Sequence, residues 1–332
     1  MQMDQNIRPA INEIIRIAGC YRAGELGFDF DEAHVYKWIE QFDENVRLPL
    51  LNELAYVLER TYITRQTMKS FLRNLFNAIK SNDSKCNAWK NINLLRIQHR
   101  GNSQSEMLSL FNEVLLEECH GTVTVDGCSA PEADSYIYLD DFIFTGFRLK
   151  TDLENWLINE APENINLYVV TYGSYLGFWN NKKSIEAVID QLGKKINLQF
   201  IEAVKLENRK AYSSSSHVLW PSVTPNDVNV VNFEAGLPTQ PHKRQSITLN
   251  SNNIFQSENG RHLLAQQFLI KGVEIIRLSG NFGSAHKPLG FIGYDSFGFG
   301  AMHLTYRNCP NNTPLALWAG YPWYPLFPRK TN

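Results

Sequence analysis

The stretch at residues 136–148 constrains the fold more than any other part of the chain, and it reads YIYLDDFIFTGFR. Residues 136–139 are apolar without alternation, which predicts a strand buried on both faces of a parallel sheet. Asp140 and Asp141 follow at the carboxyl end of that strand, the edge at which open α/β sheets bind ligands. Because carboxylates bind hydroxyl groups or Mg²⁺, the sequence predicts a ligand site that contains both acids.

A turn and a helix are predicted after the acids. Thr145 and Gly146 mark the turn, and the helix beyond it carries Leu149, Leu153 and Trp156 on one face. The free N–H groups at such a helix start attract phosphate. The residues expected at the phosphate are Thr145, Gly146, Phe147 and Arg148. Two acids that can bind hydroxyl groups, next to a turn that can bind phosphate, predict a site for a phosphorylated sugar. The alternative is an ordinary strand followed by a solvated acidic turn.

The same stretch resembles the phosphoribosyl pyrophosphate (PRPP) motif of type I phosphoribosyltransferases. That motif has a hydrophobic strand, a pair of acids, a short spacer, Thr-Gly, one residue and then usually Thr. In this chain the last position is Arg148, where the family has a hydroxyl group for the 5′-phosphate. A guanidinium group also binds phosphate but is bulkier, so the resemblance implies a ribose 5-phosphate ligand whose identity stays open.

A second stretch, at residues 287–329, contains KPLGF, GFG, TYRNCPNNTPLALW and PLFPR. Together with the acidic pair it resembles the phosphoribosyltransferase-like family of bacterial conflict systems, from about residue 88 to 329 and, with the N-terminal helices, over the whole chain. Some members accompany retron reverse transcriptases as proposed anti-phage effectors. The resemblance implies a type I phosphoribosyltransferase-like parallel sheet, an N-terminal helical domain and a C-terminal extension rich in strands and loops.

Apolar stripes within residues 9–80 predict four helices, the second of them capped by Asp31. Polar residues at 81–87 mark a boundary. We therefore expect a helical domain, winged-helix-like or a bundle, at residues 1–85 and a phosphoribosyltransferase-like domain at 86–332, with its extension from about residue 205. Acids offset the basic residues of the helices, so we expect a protein partner or a second copy there rather than nucleic acid.

The loop after the first sheet strand is the second candidate site. A strand at 91–98 leads into a turn, where Ser103 and Glu106 have the spacing of a capping box. In the type I fold this loop binds pyrophosphate, so the resemblance implies that role for its cation, amides and hydroxyl groups. The residues concerned are His99, Arg100, Gly101, Ser103 and Ser105. The alternative is a plain strand-to-helix turn capped by Ser103.

The remaining pattern predicts strands at 122–125, 165–172 and 196–204, with a helix ending near Gly193, and hence a parallel sheet. In type I enzymes a mobile loop at the position of residues 126–135 closes the site, but here this segment is short. We therefore expect residues 205–332 to close the site. We interpret residues 205–332 as strands and loops. Arg209 follows the last core strand at the edge that carries Asp140. Three amides are expected either at the substrate or in turns: Asn308, Asn311 and Asn312.

Composition excludes some classes of protein. A net charge of -2 gives no general attraction to nucleic acid or to an acidic membrane. Five cysteines without metal-binding spacing favour reduced thiols and the cytoplasm. No apolar run approaches the roughly 20 residues of a spanning helix. We expect a soluble, cytoplasmic protein.

The resemblance implies a glycosyltransferase that acts at the anomeric carbon of PRPP or of a nucleotide ribose, in an effector of a retron-type anti-phage defence system. Asp140 and Asp141 would hold ribose hydroxyl groups, with Mg²⁺ bound near them. The expected partners are PRPP or a nucleotide and a defence complex, such as a reverse transcriptase with its RNA or DNA. Alternatives are a nucleotide N-glycosidase or ribosyltransferase toxin, a non-catalytic nucleotide sensor and a structural subunit. We expect both acids to be hydrated, so that exchange for Asn changes stability by only about 1 kcal/mol.

Overall fold

The computed structural model describes residues 5–79, 84–128, 133–246, 253–280, 282–292 and 296–330. The chain divides into two compact units. The terminal unit consists of Met1–Arg65 and Glu207–Thr331, and the sheet unit consists of Gln66–Leu206. The first division falls at residue 65 rather than at the expected boundary near 85, and the C-terminal part joins the N-terminal helices in one unit.

The elements follow one another with short connections. The α-helices are α1 Arg8–Ala18, α2 Glu32–Ile39, α3 Glu44–Thr61, α4 Arg65–Ala78, α5 Lys85–Lys90, α6 Ser103–Glu118, α7 Phe147–Asn159, α8 Trp179–Leu192, α9 Val228–Ala235, α10 Glu258–Leu278 and α11 Leu315–Trp318. The strands are β1 Tyr62–Ile63, β2 Asn93–Leu94, β3 Ser135–Ile143, β4 Asn164–Tyr175, β5 Lys195–Leu206 and β6 Leu304–Thr305. No helix of the described residues is long and apolar enough to cross a membrane.

The sheet unit is built on a parallel sheet in the order β2-β3-β4-β5. Tyr138 of β3 pairs with Val169 of β4, which pairs in turn with Phe200 of β5. The apolar sequence of β3 fits this position, because a central parallel strand is covered on both faces. The expected α/β fold with a parallel sheet is confirmed.

Two expected strands differ from the structure. The strand predicted at 91–98 is regular only over Asn93–Leu94, and the chain at 122–125 forms no strand. Instead, Val125–Gly127 is a 3-10 helix in which the Thr124 hydroxyl accepts a hydrogen bond from the Gly127 N–H group. Such local side-chain bonds compete with sheet formation, which explains the wrong prediction at 122–125.

Helices α7 and α8 complete the core of the sheet unit. Leu153, Leu157 and Ile185 of these helices are fully buried against Val169 and other apolar residues of the sheet. α8 ends at Gly193 in the left-handed conformation, at the predicted position. The core therefore fixes where α7 begins, directly after β3.

The terminal unit has a helical core in which α1, α2 and α3 pack with α10 and with the segment around α11. The predicted helices α1 to α4 are confirmed, with the Asp31 side chain accepting a hydrogen bond from the His34 N–H group. Helix α4, however, belongs largely to the sheet unit. Deletion of residues 1–85 would therefore damage both units.

Helix α10 was not predicted, because residues 205–332 were interpreted as strands and loops. Its buried residues include Leu264, Phe268, Leu269 and Val273 but also Arg261 and Gly272. The buried residues lie on one face, but Leu263 and Ile270 place apolar side chains on the opposite side, and Arg261 and Gly272 interrupt the buried face. The sequence therefore lacks a clean apolar stripe that would identify the helix. Of the described residues after β5, only Leu304–Thr305 forms a strand, which pairs in parallel with Tyr62–Ile63.

Cys86 and Cys119 form a disulfide bond, so the expectation of reduced thiols is wrong for this pair. Cys86 lies in α5, and Cys119 caps the C-terminus of α6. These helix ends place the two Cα atoms 5.8 Å apart, a normal separation for a disulfide. Cys20, Cys128 and Cys309 are free thiols.

Candidate functional site

The acidic pair lies inside β3 rather than beyond its end. The strand continues through Asp140 and Asp141 to Ile143, and Asp140 pairs with Thr171 of β4. Asp140 is only 8% exposed and Asp141 only 9%. The expectation that both carboxylates are hydrated is therefore wrong. The apolar residues after the acids, Phe142 and Ile143, extend the strand and carry the acids into the buried part of the sheet.

Each acid is fixed by a main-chain hydrogen bond. Asp140 Oδ1 accepts from the N–H group of Asp141 at 2.9 Å, and Asp141 Oδ1 accepts from that of Phe142 at 2.7 Å. Successive side chains of a strand point to opposite faces of the sheet. Asp140 therefore shares a face with Tyr138, whereas Asp141 leans to the other face. The two carboxylates are adjacent in sequence but are presented differently.

A third buried carboxylate lies on the Asp140 side. Asp152 of α7 is 4% exposed. The Tyr138 hydroxyl lies 3.4 Å from Asp152 Oδ2 and 3.5 Å from Asp140 Oδ2, between the two acids. Burial and these nearby carboxylates raise the pKa of Tyr138 well above its ordinary value, so the hydroxyl keeps its proton.

Asp152 also contacts the predicted pyrophosphate loop. Burial raises the pKa of Asp152, while a hydrogen bond from the His99 main-chain N–H group and the positive charge of Arg148 act in the opposite direction. Asp152 thus lies close to β3, to the loop at residue 99 and to the start of α7. Sequence reasoning missed this residue, although a signal was present: a single acid lies among the apolar residues Leu149, Leu153 and Trp156 of one helical face.

The turn after β3 has the expected form. Gly146 has φ of +73°, and a Cβ atom there would lie 3.0 Å from Phe178 Cβ, so both the backbone conformation and the space favour glycine. The Thr145 carbonyl accepts a hydrogen bond from Asn181 Nδ2 at 2.6 Å, and its hydroxyl accepts one from the Phe147 N–H group at 3.4 Å. Helix α7 begins at Phe147, so its positive N-terminal end lies at this turn.

Phe147 and Arg148 are both exposed in the first turn of α7. Phe147 is 67% exposed, which leaves its side chain without a packing role in the sheet unit. The Arg148 side chain makes no hydrogen bond or salt bridge with any other residue that the structure describes, although its charge acts on nearby Asp152. A guanidinium group in this position is available to an anion at the helix start.

The loop before α6 is fixed by two glutamine side chains. Gln104 Oε1 accepts hydrogen bonds from the N–H groups of Ile97 and Gln98, and Gln98 Oε1 accepts from the N–H group of Gln104. The predicted capping box is wrong: Asn102 is the N-cap, and the Ser103 hydroxyl bonds to the Gln98 side chain. Competition from Gln98 removes Ser103 from the capping position.

The tip of this loop is accessible. His99, Arg100 and Ser105 are exposed, and Gly101 has φ of +94°. Arg100 has no hydrogen bond or ion pair with any other residue in the described ranges. A cavity of about 350 Å³ opens beside the loop and is lined by Gln98, Gly101 and Ser105, among others. The predicted loop residues therefore lie together, with a free cation at the tip.

The other predicted substrate residues belong to the terminal unit. Arg209 makes a bidentate pair with Glu207, with Nη2 to Oε2 at 2.6 Å. Asn308 bonds through both side-chain atoms to the main chain of Lys330, and Asn312 Nδ2 donates to the Phe291 carbonyl. The Asn311 side chain makes no hydrogen bond with any residue that the structure describes, but the Asn311 carbonyl accepts one from the N–H group of Phe291. These contacts match the turn-forming alternative, and the substrate role of the four residues stays a prediction.

The carboxylates of the site can be compared with the ligands that Mg²⁺ takes in proteins. Among the described residues, no three or more His, Cys, Asp or Glu side chains form a group able to hold a metal ion. Mg²⁺ commonly takes one or two protein carboxylates and completes its shell with phosphate oxygens and water. Asp140 and Asp141 supply carboxylates of that kind. They fit an ion held largely by the oxygens of a bound ligand.

The parallel sheet, the acids near the end of β3 and the glycine turn into α7 together define a phosphoribosyltransferase-like protein. The family model described as PRTase-CE matches residues 35–329, and the chain belongs to this family. The match includes residues of both units. No curated protein matches the chain.

Proposed function

We propose that the sheet unit binds PRPP or a ribose 5-phosphate nucleotide and is a glycosyltransferase acting at the anomeric carbon. The observation that carries this proposal is the acid pair of β3 followed by the Gly146 turn at the start of α7, in a chain of this family. The site chemistry matches the ligand: carboxylates accept hydrogen bonds from ribose hydroxyl groups, and the helix start attracts phosphate.

The proposed reaction breaks the bond between the anomeric carbon and the pyrophosphate oxygen and forms one to a nucleophile, which is a base, water or a macromolecule. The leaving oxygen takes the bonding electrons, and positive charge develops on the sugar. Asp140 and Asp141 stabilise that charge and hold the ribose, while the turn at Thr145 to Arg148 fixes the 5′-phosphate. Positioning and electrostatic stabilisation supply the rate.

In this proposal the loop before α6 binds the departing pyrophosphate. Arg100 brings a positive charge that no described residue neutralises, and Gly101 brings the main chain close to the ligand. Charge-assisted hydrogen bonds from a guanidinium group to phosphate oxygens are among the strong ones in proteins. Mg²⁺, bound near Asp140 and Asp141 with the ligand, would add charge neutralisation on the pyrophosphate oxygens.

Turnover of labelled PRPP tests this proposal. Purified full-length protein is incubated with PRPP, Mg²⁺ and a nucleotide mixture, and the release of pyrophosphate or of free base is measured. The matched pair of variants is Asp140→Asn in the site and Asp134→Asn at the exposed residue before β3. We expect release by the wild type and by Asp134→Asn only. Binding without turnover in the wild type would favour the sensor function, and the absence of both would contradict the proposal.

We further propose that the protein is an effector of a bacterial anti-phage defence system of the retron type and that a protein partner restrains it. The resemblance in the two motifs supports this role. Expression of the wild-type protein without its partner should arrest bacterial growth, whereas the double variant Asp140→Asn with Asp141→Asn should not. Equal toxicity of a folded double variant would separate any toxic activity from the acidic pair.

A further inference from the structure

Strand β5 is an edge strand of the sheet. It pairs with β4 in one register from Lys195 to Leu206, and no described residue forms a strand on its other side. The Lys195 N–H group donates to the Glu163 carbonyl on the β4 side. Because the bonding direction alternates along a strand, the main-chain groups of the even-numbered residues point away from the sheet. These residues define the outer edge of β5: Ile196, Leu198, Phe200, Glu202, Val204 and Leu206.

The outer edge is long and unpaired. Its main-chain N–H and C=O groups make no hydrogen bond with any residue that the structure describes. Proteins commonly protect such an edge from other strands with a proline, a bulge or a charge in the middle of the strand. β5 contains no proline and no shift of register, and its lysines lie near its two ends, at positions 195 and 205. The edge is therefore open to a further strand.

The single acid of β5 does not protect the edge. The Glu202 side chain is only 5% exposed, and its Oε1 accepts a hydrogen bond from the Ser174 hydroxyl of β4 at 2.6 Å. The Lys205 ammonium lies 3.3 Å from Glu202 Oε2. These contacts neutralise the carboxylate within its own chain. By contrast, Ile201 in the middle of the strand is 43% exposed, an apolar group that a further strand would cover.

A second copy of the chain fits this edge through an antiparallel pairing of β5 with itself about a two-fold axis. Such symmetry is the commonest among soluble homo-oligomers. Directly opposite residues then lie on the same face, so the residue at the axis defines the register. With Phe200 at the axis, Lys195 would lie opposite Lys205, and with Glu202 at the axis, the two Glu202 side chains would meet. Like charges in these positions destabilise a sheet.

An axis at Ile201 avoids both contacts between like charges. Ile201 then lies opposite Ile201 of the second copy, and Lys205 lies opposite Asn197. The two strands overlap from residue 196 to residue 206, so every residue of the outer edge bonds with the second copy. Axes nearer either end of β5 would shorten this overlap. Charge and length therefore select one register.

We propose that two copies of the chain form a homodimer in which the β5 strands pair in antiparallel orientation with Ile201 at the two-fold axis. The dimer joins two four-stranded sheets into one continuous sheet. The interface requires neither a ligand nor the acids of β3, so this inference stands independently of the proposed function.

Sedimentation of the full-length protein tests the dimer. We expect the wild type to have twice the mass of one chain. Ile201→Lys places two like charges at the axis and should raise the dimer dissociation constant by about tenfold or more. The matched control is Ile158→Lys, at an exposed isoleucine of α7 in the same unit, which should remain as dimeric as the wild type. Circular dichroism checks that both variants fold.

Cysteine cross-linking tests the register. Ile201 bonds towards β4, so the two Ile201 residues form a non-hydrogen-bonded pair, in which opposite Cβ atoms lie about 4.5–5.5 Å apart. Ile201→Cys should therefore form a disulfide-linked dimer under mild oxidation. Gln199→Cys is the control, because each Gln199 lies opposite Ala203 of the second copy and the two introduced thiols would be about 14 Å apart. The wild type, which carries the exposed thiol of Cys20, gives the background.

The outcomes decide between this dimer and other uses of the edge. A monomeric wild type would overturn the proposal and leave the edge to a strand of another protein. A dimer that Ile201→Lys leaves intact, or one in which Gln199→Cys cross-links as readily as Ile201→Cys, would also overturn it, because the contact between the copies would then lie elsewhere. The cysteine variants decide the question even if Ile201→Lys does not fold.

Discussion

The two units use buried polar groups in opposite ways. In the terminal unit, Arg261 is fully buried and donates to the carbonyls of Ser214 and Val218 and to the Ser216 hydroxyl. In the sheet unit, Asp140 and Asp152 are buried against an ionisable hydroxyl and beside exposed loops. The first arrangement ties distant segments together, while the second groups two carboxyl groups around one hydroxyl near the start of α7.

Other contacts of the terminal unit follow the same structural pattern. The indole N–H groups of Trp38 and Trp323 both donate to the Ala316 carbonyl, at 2.8 Å and 2.9 Å. Tyr21 donates to the Pro328 carbonyl. Even within the PNNTP motif, Thr313 donates to the Pro310 carbonyl. Thr313 therefore contributes to the fold of the terminal unit, whereas our proposal places the chemistry in the sheet unit.

The largest expected effect is the loss of activity in Asp140→Asn. Asn keeps the shape and removes the charge that stabilises a cationic sugar, a contribution of about 3–4 kcal/mol to the barrier. We expect the rate of pyrophosphate release to fall by about 10²–10³-fold while the circular dichroism spectrum stays that of the wild type. A variant that keeps its activity would break the comparison, because chemistry would then not depend on the sheet unit's buried acid.

Arg261→Ala should show the reverse behaviour. The change leaves buried carbonyls without donors and creates a cavity in α10, so we expect the free energy of unfolding to fall by about 3 kcal/mol. Denaturant titration measures this loss, with Arg277→Ala at an exposed position of the same helix as the control. PRPP affinity of the folded variant should be unchanged; a selective loss of affinity would give Arg261 a functional role.

Glycine variants test the turn that presents the phosphate site. Gly146→Ala introduces strain at φ of +73° and a contact at 3.0 Å with Phe178, so we expect a loss of about 2 kcal/mol. Gly193→Ala has φ of +66° but nothing within 4 Å of the new atom, so we expect about 1 kcal/mol. Thermal unfolding of the two variants measures how much stability each one loses, and the difference between them is the cost of the Phe178 contact. Equal losses of stability in the two variants would contradict our description of the turn.

The smallest effect concerns the pH dependence of stability. Burial raises the pKa of Asp152 in the folded chain. The contribution of this group is therefore fully present below the pKa of the unfolded chain, about 3.9, and is lost as pH rises through the higher folded pKa. Relative to Asp152→Asn, the wild type should lose stability as the pH rises from about 4 through the raised pKa of the folded chain. A constant difference over this range would show that the pKa of Asp152 is not raised.

Much of the sheet unit could be predicted from sequence. A continuous apolar run identified β3, and strand patterns of apolar and β-branched residues identified β4 and β5. The residues of the Gly146 turn were found because glycine and an apolar helical stripe follow the acids. The burial of Asp140 was missed, since the apolar residues Phe142 and Ile143 after it were not interpreted as more strand. Asp152 was missed because the apolar stripe of α7 predicts a helix but assigns no role to the single acid within the stripe.

The terminal unit could not be assembled in the same way. Its core joins α1 to α3 with residues more than two hundred positions later, such as Leu315 and Phe327. Local patterns of hydrophobicity carry no information on such pairing. Apolar residues on the opposite side of α10, Leu263 and Ile270, also obscure the apolar stripe of this helix. The division of the chain near residue 65 depends on these long-range contacts, so a boundary placed by composition alone fell near residue 85.

The most direct test of the central claim is to locate the ligand by hydrogen exchange. The full-length wild type is compared with and without saturating PRPP and Mg²⁺, and the Asp140→Asn variant serves as the control. We predict protection in peptides covering residues 97–105 and 140–149 of the sheet unit, and none of it in Asp140→Asn. Protection confined to peptides of the terminal unit, such as those covering residues 308–312, would contradict the assignment of the site to β3 and its flanking loops.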